Sequence, residues 1–289
     1  MRVLITNDDG IDSPALATLV EVALRAGAEP IVVAPNREFS GASASLLGTE
    51  VDGRLLIENR SSPGLPDGVA SYAAHAAPAM IVFAAAYGAF GPRPDFVLSG
   101  VNLGANTGRA TLHSGTVGAA LAATAQGIPA MAVSIASPRP NHLATAGALA
   151  SHALDWLLGH DPLSNQVLNL NVPDLPGAQV RGMRQAALAS FGAVRARVKE
   201  KGQGHVTLTY SGLGAGEEKG TDAYLLARGW ATLTLINSLA GDPTADLPFL
   251  AGPAAADWVE RPTDSGSRPD EAAGDPVGEV SSGRTMSGG

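Results

Sequence analysis

The chain contains no cysteine. That excludes disulfides, thiolate metal sites and a cysteine nucleophile together, and makes a reducing cytoplasm the expected setting. Positive charge is also short: 19 Lys and Arg stand against 27 Asp and Glu, a formal net charge of -8. A nucleic acid or an anionic membrane surface is therefore a poor main partner. No apolar run is long enough to span a bilayer; the best, residues 79–90, is broken by Gly88. The start, MRVLITNDDG, lacks the apolar core of a signal peptide because acids arrive at positions 8 and 9. A soluble protein that stays where it is made is expected.

Two catalytic signatures are missing too. No Gly-Lys-Ser/Thr follows the glycines beyond residue 100, which excludes a P-loop. The Asp-x-Asp that a covalent aspartyl phosphatase places after its first strand is likewise absent.

What is present is enough apolar material, 45% of 289 residues, for one large domain or two smaller ones. Residues 3–10 (VLITNDDG) organise the rest. Val3, Leu4, Ile5 and Thr6 read as a buried strand that delivers Asn7, Asp8, Asp9 and Gly10 at its carboxyl end. In an open parallel sheet that edge binds ligands. Adjacent carboxylates repel unless a cation or hydrogen-bond donors lie between them, so the pair suggests a hard divalent metal. A plain polar turn is the competing reading, because all three residue types favour turns.

The remaining pattern is α/β. Ser13 reads as an N-cap and Pro14 as the first residue of a helix, whose Leu16, Leu19, Val20, Ala23 and Leu24 recur at helical spacing up to Gly27. Residues 30–34 (PIVVA) supply a second strand and complete a right-handed βαβ unit. Further strands are expected at 54–58, 69–73, 95–98, 131–135 and 166–172. Helices are expected at 78–90, from a Ser114 cap to Gln126, and at 142–158. Past residue 173 the pattern changes: 184–192 is irregular, while 205–210 and 230–236 alternate like half-exposed strands. Residues 1–250 read as one domain, with 173–250 as a β-rich arm for subunit contacts. Residues 251–289 read as an acidic disordered tail, with seven acids and three arginines from residue 257 onward.

Asp8 and Asp9 follow one strand, Ser40 the next and Asn102 a third, all on the carboxyl side of a parallel sheet. Two carboxylates, a hydroxyl and an amide carbonyl form an all-oxygen set that suits Mg²⁺, Mn²⁺ or Ca²⁺ better than Zn²⁺ or copper. Asn102 and Asn106 lie among Gly100, Gly104 and Gly108, where backbone can approach a ligand closely. Ser114, Gly115 and Thr116 start a helix at the same edge, offering amides and two hydroxyls as a phosphate seat, with an ordinary cap as the alternative. Metal and phosphate seat together point to phosphoryl chemistry.

The stretches VLITNDDGIDSPAL, APNREFSGAS and SGVNLGANTGRATLHSGTVGAA resemble the SurE family, metal-dependent 5′-nucleotidases that release phosphate from nucleoside monophosphates. The resemblance covers roughly residues 1–240, with weaker echoes at LNLNVP, Arg184-Gln185 and Gly229-Trp230. It implies that Asp8, Asp9, Ser40 and Asn102 ligate one divalent ion. It also implies a Rossmann-like three-layer sandwich and a homodimer or homotetramer built through the C-terminal β extension. Three positions depart from the family pattern: Met80 replaces an aspartate, Ala122 an acidic residue and Leu235 a proline.

The expected reaction is metal-assisted hydrolysis of a phosphate monoester by in-line attack of an activated water. Asp8 or Asp9 could orient that water, while Asn106 and Ser114 to Thr116 hold the phosphate. Asn7 and His113 are candidates for contacts behind the ligands, and His113 could also be a general acid or mere packing. Rival readings are a nucleotide-binding regulator without turnover, and a phosphatase for 3′-nucleotides, polyphosphate or another small monoester.

Overall fold

The structure, a computed structural model, describes residues 1–159, 165–190, 194–202, 204–212 and 218–239. The expectation for 251–289 lies outside the described residues. In chain order the first half comprises β1 (Arg2–Thr6), α1 (Ala15–Arg25), β2 (Glu29–Pro35), β3 (Glu50–Val51), β4 (Arg54–Leu55), β5 (Ile57–Asn59), β6 (Ser71–Ala74) and α2 (Pro78–Ala86). There follow β7 (Phe96–Leu103), α3 (Gly115–Ala125), β8 (Ala130–Ile135), α4 (Leu143–Leu158), β9 (Gln166–Val172) and β10 (Met183–Gln185). The order ends with β11 (Val194–Gly202), β12 (His205–Gly212), α5 (Asp222–Leu226) and β13 (Ala231–Asn237).

Nine strands form one sheet in the order β10-β13-β9-β8-β7-β1-β2-β6-β5. The run from β9 to β6 is parallel throughout; β13 joins β9 and β5 joins β6 antiparallel. The architecture is thus α/β with a mostly parallel sheet. Strand side chains alternate between faces, and the core divides accordingly. Val3 and Ile5 face the layer of α1 and α4, together with Leu16, Leu19, Ala150 and Leu154. Leu4 faces the layer of α2 and α3, with Ile81, Val82, Val117 and Ala120. Sheet strands buried on both faces read as continuous apolar runs, which is why they were legible. No helix among the described residues is long and apolar enough to cross a membrane.

Several expectations need correction. Ser13 does not cap α1 with its side chain; the helix enters through Pro14 in helical conformation, and the buried Ser13 hydroxyl has no partner among the described residues. The strand expected at 54–58 is split between β4 and β5. Helix α2 stops at Ala86, where Gly88 takes positive φ and turns the chain. The strand expected at 95–98 runs on to Leu103, so Asn102 lies within β7, past a register shift that begins after Ser99. Part of the segment expected to be irregular is β10. The residues read as a β-rich arm also divide: β10 and β13 belong to the main sheet, and only β11 and β12 form a separate antiparallel pair.

Candidate active site

The turn after β1 is shaped by Asn7. Its Nδ2 donates to the Gly10 carbonyl at 3.1 Å and its Oδ1 accepts from the Gly10 amide at 3.0 Å, so a wholly buried side chain closes the loop that carries both aspartates. The loop after β2 is fastened to that turn. The Ile11 amide donates to the Pro35 carbonyl, and the Phe39 amide to the Asp8 carbonyl, both at 2.8 Å.

Asp8 points at the start of α3. Its Oδ1 accepts from the Thr116 hydroxyl at 2.5 Å. Burial pushes its carboxyl up, while that hydroxyl and the backbone amides of Thr116 and Gly115 hold it down. The helix meets the carboxylate so closely that a Cβ on Gly115 would lie 2.7 Å from the Asp8 Cβ and 2.8 Å from Oδ2; only glycine fits there. Ser114 caps α3 by accepting from the Val117 amide at 3.1 Å. Both hydroxyls expected in the phosphate seat are therefore engaged within the protein, and the first amides of α3 already face an anion.

Asp9 accepts from the Leu103 amide at 3.3 Å. Burial first, then repulsion from Asp8 and from Glu38, pushes its carboxyl up to about 7, with the Leu103 amide acting the other way. Asn102 donates through Nδ2 to the Gly104 carbonyl at 2.7 Å. That orientation leaves its Oδ1 facing the Thr116 hydroxyl at 3.5 Å. Ser40 stands one residue beyond Phe39, and its hydroxyl donates to Glu38 Oε1 at 2.6 Å rather than to either aspartate. Asp8, Asp9, Asn102 and Thr116 are thus brought together directly, with Ser40 on the adjoining loop.

The fit to a cation can be judged from this chemistry. Among the described residues no ion pair reaches Asp8 or Asp9, and no group of three or more His, Asp or Glu converges on a point. Two buried carboxylates that repel each other, with the side-chain carbonyl of Asn102 beside them, suit a hard divalent ion held by charged and neutral oxygens.

The glycine-rich segment is held by residues that motif reading missed. Asn106 donates its backbone amide to Asn171 Oδ1 at 2.8 Å and its Nδ2 to the Ser134 hydroxyl at 2.9 Å. Its carbonyl accepts from both Asn169 Nδ2 and Asn171 Nδ2 at 2.9 Å. Residues i and i+2 of a strand share a face, so the two asparagines of QVLNLNV were a usable signal: polar side chains two apart in a buried strand need a common partner. Gly100 serves the sheet instead of a ligand, because a Cβ there would collide with the Val133 carbonyl. His113 is exposed, at the end of the 3₁₀ turn Gly108–His113. Met80 and Ala122 pack in the apolar layer of α2 and α3, and Leu235 pairs with Leu168 in β13; none takes part in the hydrogen bonds above.

Comparison with known proteins gives the family. The family model described as Survival protein SurE matches residues 3–194. A relative named 5′-nucleotidase SurE, from Alkalilimnicola ehrlichii, is 35% identical over 274 residues, 92% of this chain and 99% of its own. The crystal structure of SurE protein from Aquifex aeolicus superposes with a TM-score of 0.68 at 26% identity, covering 82% of this chain and 93% of that one. With its aspartate turn set against the start of α3 and its match extending over most of its length, this chain belongs to the SurE family.

Proposed function

We propose that this chain is a metal-dependent phosphomonoesterase that releases phosphate from nucleoside 5′-monophosphates. The observation that carries the reading is the meeting of Asp8, Asp9 and Asn102 with the amino terminus of α3, two carboxylates and an amide oxygen set for a cation where a helix begins. The relative from Alkalilimnicola ehrlichii is named a 5′-nucleotidase, and its 35% identity supports the same substrate class here.

In this reading Asp8, Asp9, Asn102 and Ser40 hold one divalent ion, Mg²⁺ or Mn²⁺, which when bound supplies electrophilic polarisation of the phosphate and a more acidic water. Ser40 must then turn from Glu38. Asp8 or Asp9 is the group placed to orient the attacking water. For the amides of Gly115 and Thr116 to hold the phosphoryl oxygens with Asn106, Asp8 must release them as it turns to the metal. The β11 and β12 pair, outside the main sheet, serves as the contact of a homodimer or homotetramer, and the absence of cysteine supports a cytoplasmic setting.

The test is phosphate release from a panel of nucleoside 5′- and 3′-monophosphates and polyphosphate, with Mn²⁺, Mg²⁺ or EDTA. Release that requires metal and favours the 5′-nucleotides is expected. Nucleotide binding without release would overturn it in favour of a regulator.

A further inference from the structure

Asp222 opens α5 with a carboxylate that is wholly buried. Its Oδ1 accepts from the Ala189 amide at 3.0 Å and from the Ala223 amide at 2.7 Å. Its Oδ2 accepts from the Gly108 amide at 2.8 Å, across 114 residues. Among the described residues no ion pair neutralises it, so these three amides are what make the buried charge tolerable.

The three bonds have different consequences. Ala189 and Ala223 tie Asp222 to its own surroundings, where Asp222 and Ala187 are already joined backbone to backbone at 2.8 Å. The bond to Gly108 instead reaches the start of the turn Gly108–His113, which leads into Ser114 and α3. Two residues earlier the same segment is clamped at the Asn106 carbonyl by Asn169 and Asn171. The arch over the site is pinned at residue 106 from the sheet and at residue 108 from α5. Gly108 is itself buried, so without Asp222 its amide would be left unpaired and the arch would have to move.

We propose that Asp222 is a positioning residue for the phosphate site: by holding the Gly108 amide it sets Asn106 and the first amides of α3 at one spacing around a phosphoryl group. The inference rests on the phosphatase reading above. It touches neither substrate nor metal, and acts through the arch.

Asp222→Asn keeps the shape but turns one acceptor into a donor, and Thr221→Ala provides the control. Thr221 caps α5 by accepting from the Tyr224 amide at 3.4 Å and has no bond to the arch. In Asp222→Asn we expect the inhibition constant of inorganic phosphate and the KM for a nucleoside 5′-monophosphate to rise about tenfold, as misplacement of a binding group gives. Metal affinity by calorimetry should stay within about twofold, because none of the proposed ligands is touched, and amide exchange over 104–113 should quicken. Thr221→Ala should lower the melting temperature and leave the phosphate constant alone. Wild-type phosphate inhibition and exchange in Asp222→Asn, or an equal change in Thr221→Ala, would overturn the proposal. If Asp222→Asn does not fold, exchange in the wild-type protein decides: protection of the Gly108 amide equal to that of β7 supports the proposal, and exchange at the rate of an open loop overturns it. Failure of the phosphatase reading looks different, since the wild-type protein would then release no phosphate from any nucleotide whatever the exchange pattern.

Discussion

The hydroxyl of Thr116 lies 2.5 Å from Oδ1 of Asp8 and closes the site across 108 residues of chain. It joins the turn after β1 to the first turn of α3, beside the bonds that the Gly115 and Thr116 amides make to the same carboxylate. Removing the hydroxyl while keeping the shape, Thr116→Val, leaves a buried carboxylate short of a donor. Phosphate release at saturating metal should fall about 10- to 100-fold, the worth of a hydrogen bond to a charged group. The metal concentration for half-maximal rate should rise, and Thr116→Ser should restore most of both. A metal titration of initial rates checks this.

The raised carboxyl of Asp9 makes stability depend on pH in a definite direction. A carboxyl at about 7 when folded, against an ordinary value of 3.8, binds its proton more tightly in the folded state. The contribution of Asp9 to the stability of the metal-free protein is then fully present below about 3.8 and is lost as pH rises to about 7. Melting curves in EDTA should decline by several degrees, roughly 5 °C, between pH 5 and 8. Asp9→Asn should flatten that decline and abolish metal-dependent release. Added metal should restore stability increasingly as pH rises, since its ligands must be deprotonated.

Glu38 repels Asp9 and accepts from Ser40 at 2.6 Å. Glu38→Gln removes the charge yet keeps an acceptor for the serine. The metal-free Asp9 carboxyl should move down, and only modestly because Glu38 is exposed and screened. The pH dependence of melting in EDTA, compared between wild type and Glu38→Gln, gives the answer.

His113 lies exposed beside the α3 cap. His113→Gln should leave the pH-rate profile unchanged and the rate within about threefold, whereas loss of a general acid would cost about a hundredfold or more.

The sequence exposed those parts of the site whose chemistry is local. Asp8, Asp9 and the Ser114 cap could be found because a strand end, a turn and a helix start each leave a mark within a few residues. The strands of the parallel sheet were legible for a similar reason, as apolar runs bounded by turn residues. What stayed hidden was set by partners far along the chain. Thr116 looked like a phosphate ligand until the fold brought Asp8 against it, and Asp222 carries no local mark of the Gly108 amide it holds 114 residues away. Ser13 misled because its local signal, Ser before Pro, was overridden by burial that turned its hydroxyl inward. The placement of β13 was invisible for the same reason: an alternating strand does not say which edge it will join.

That placement matters for anyone trimming the protein. The family match ends at residue 194, and a truncation there is tempting. Yet β13, from beyond that point, is the strand that pairs with β9 all along Gln166–Asn171. A fragment ending at 194 would leave one whole side of β9 bare, an open row of amides and carbonyls on an apolar strand, which is a template for intermolecular pairing. Such a fragment should collect in the insoluble fraction, and chains ending after Asn237 should not.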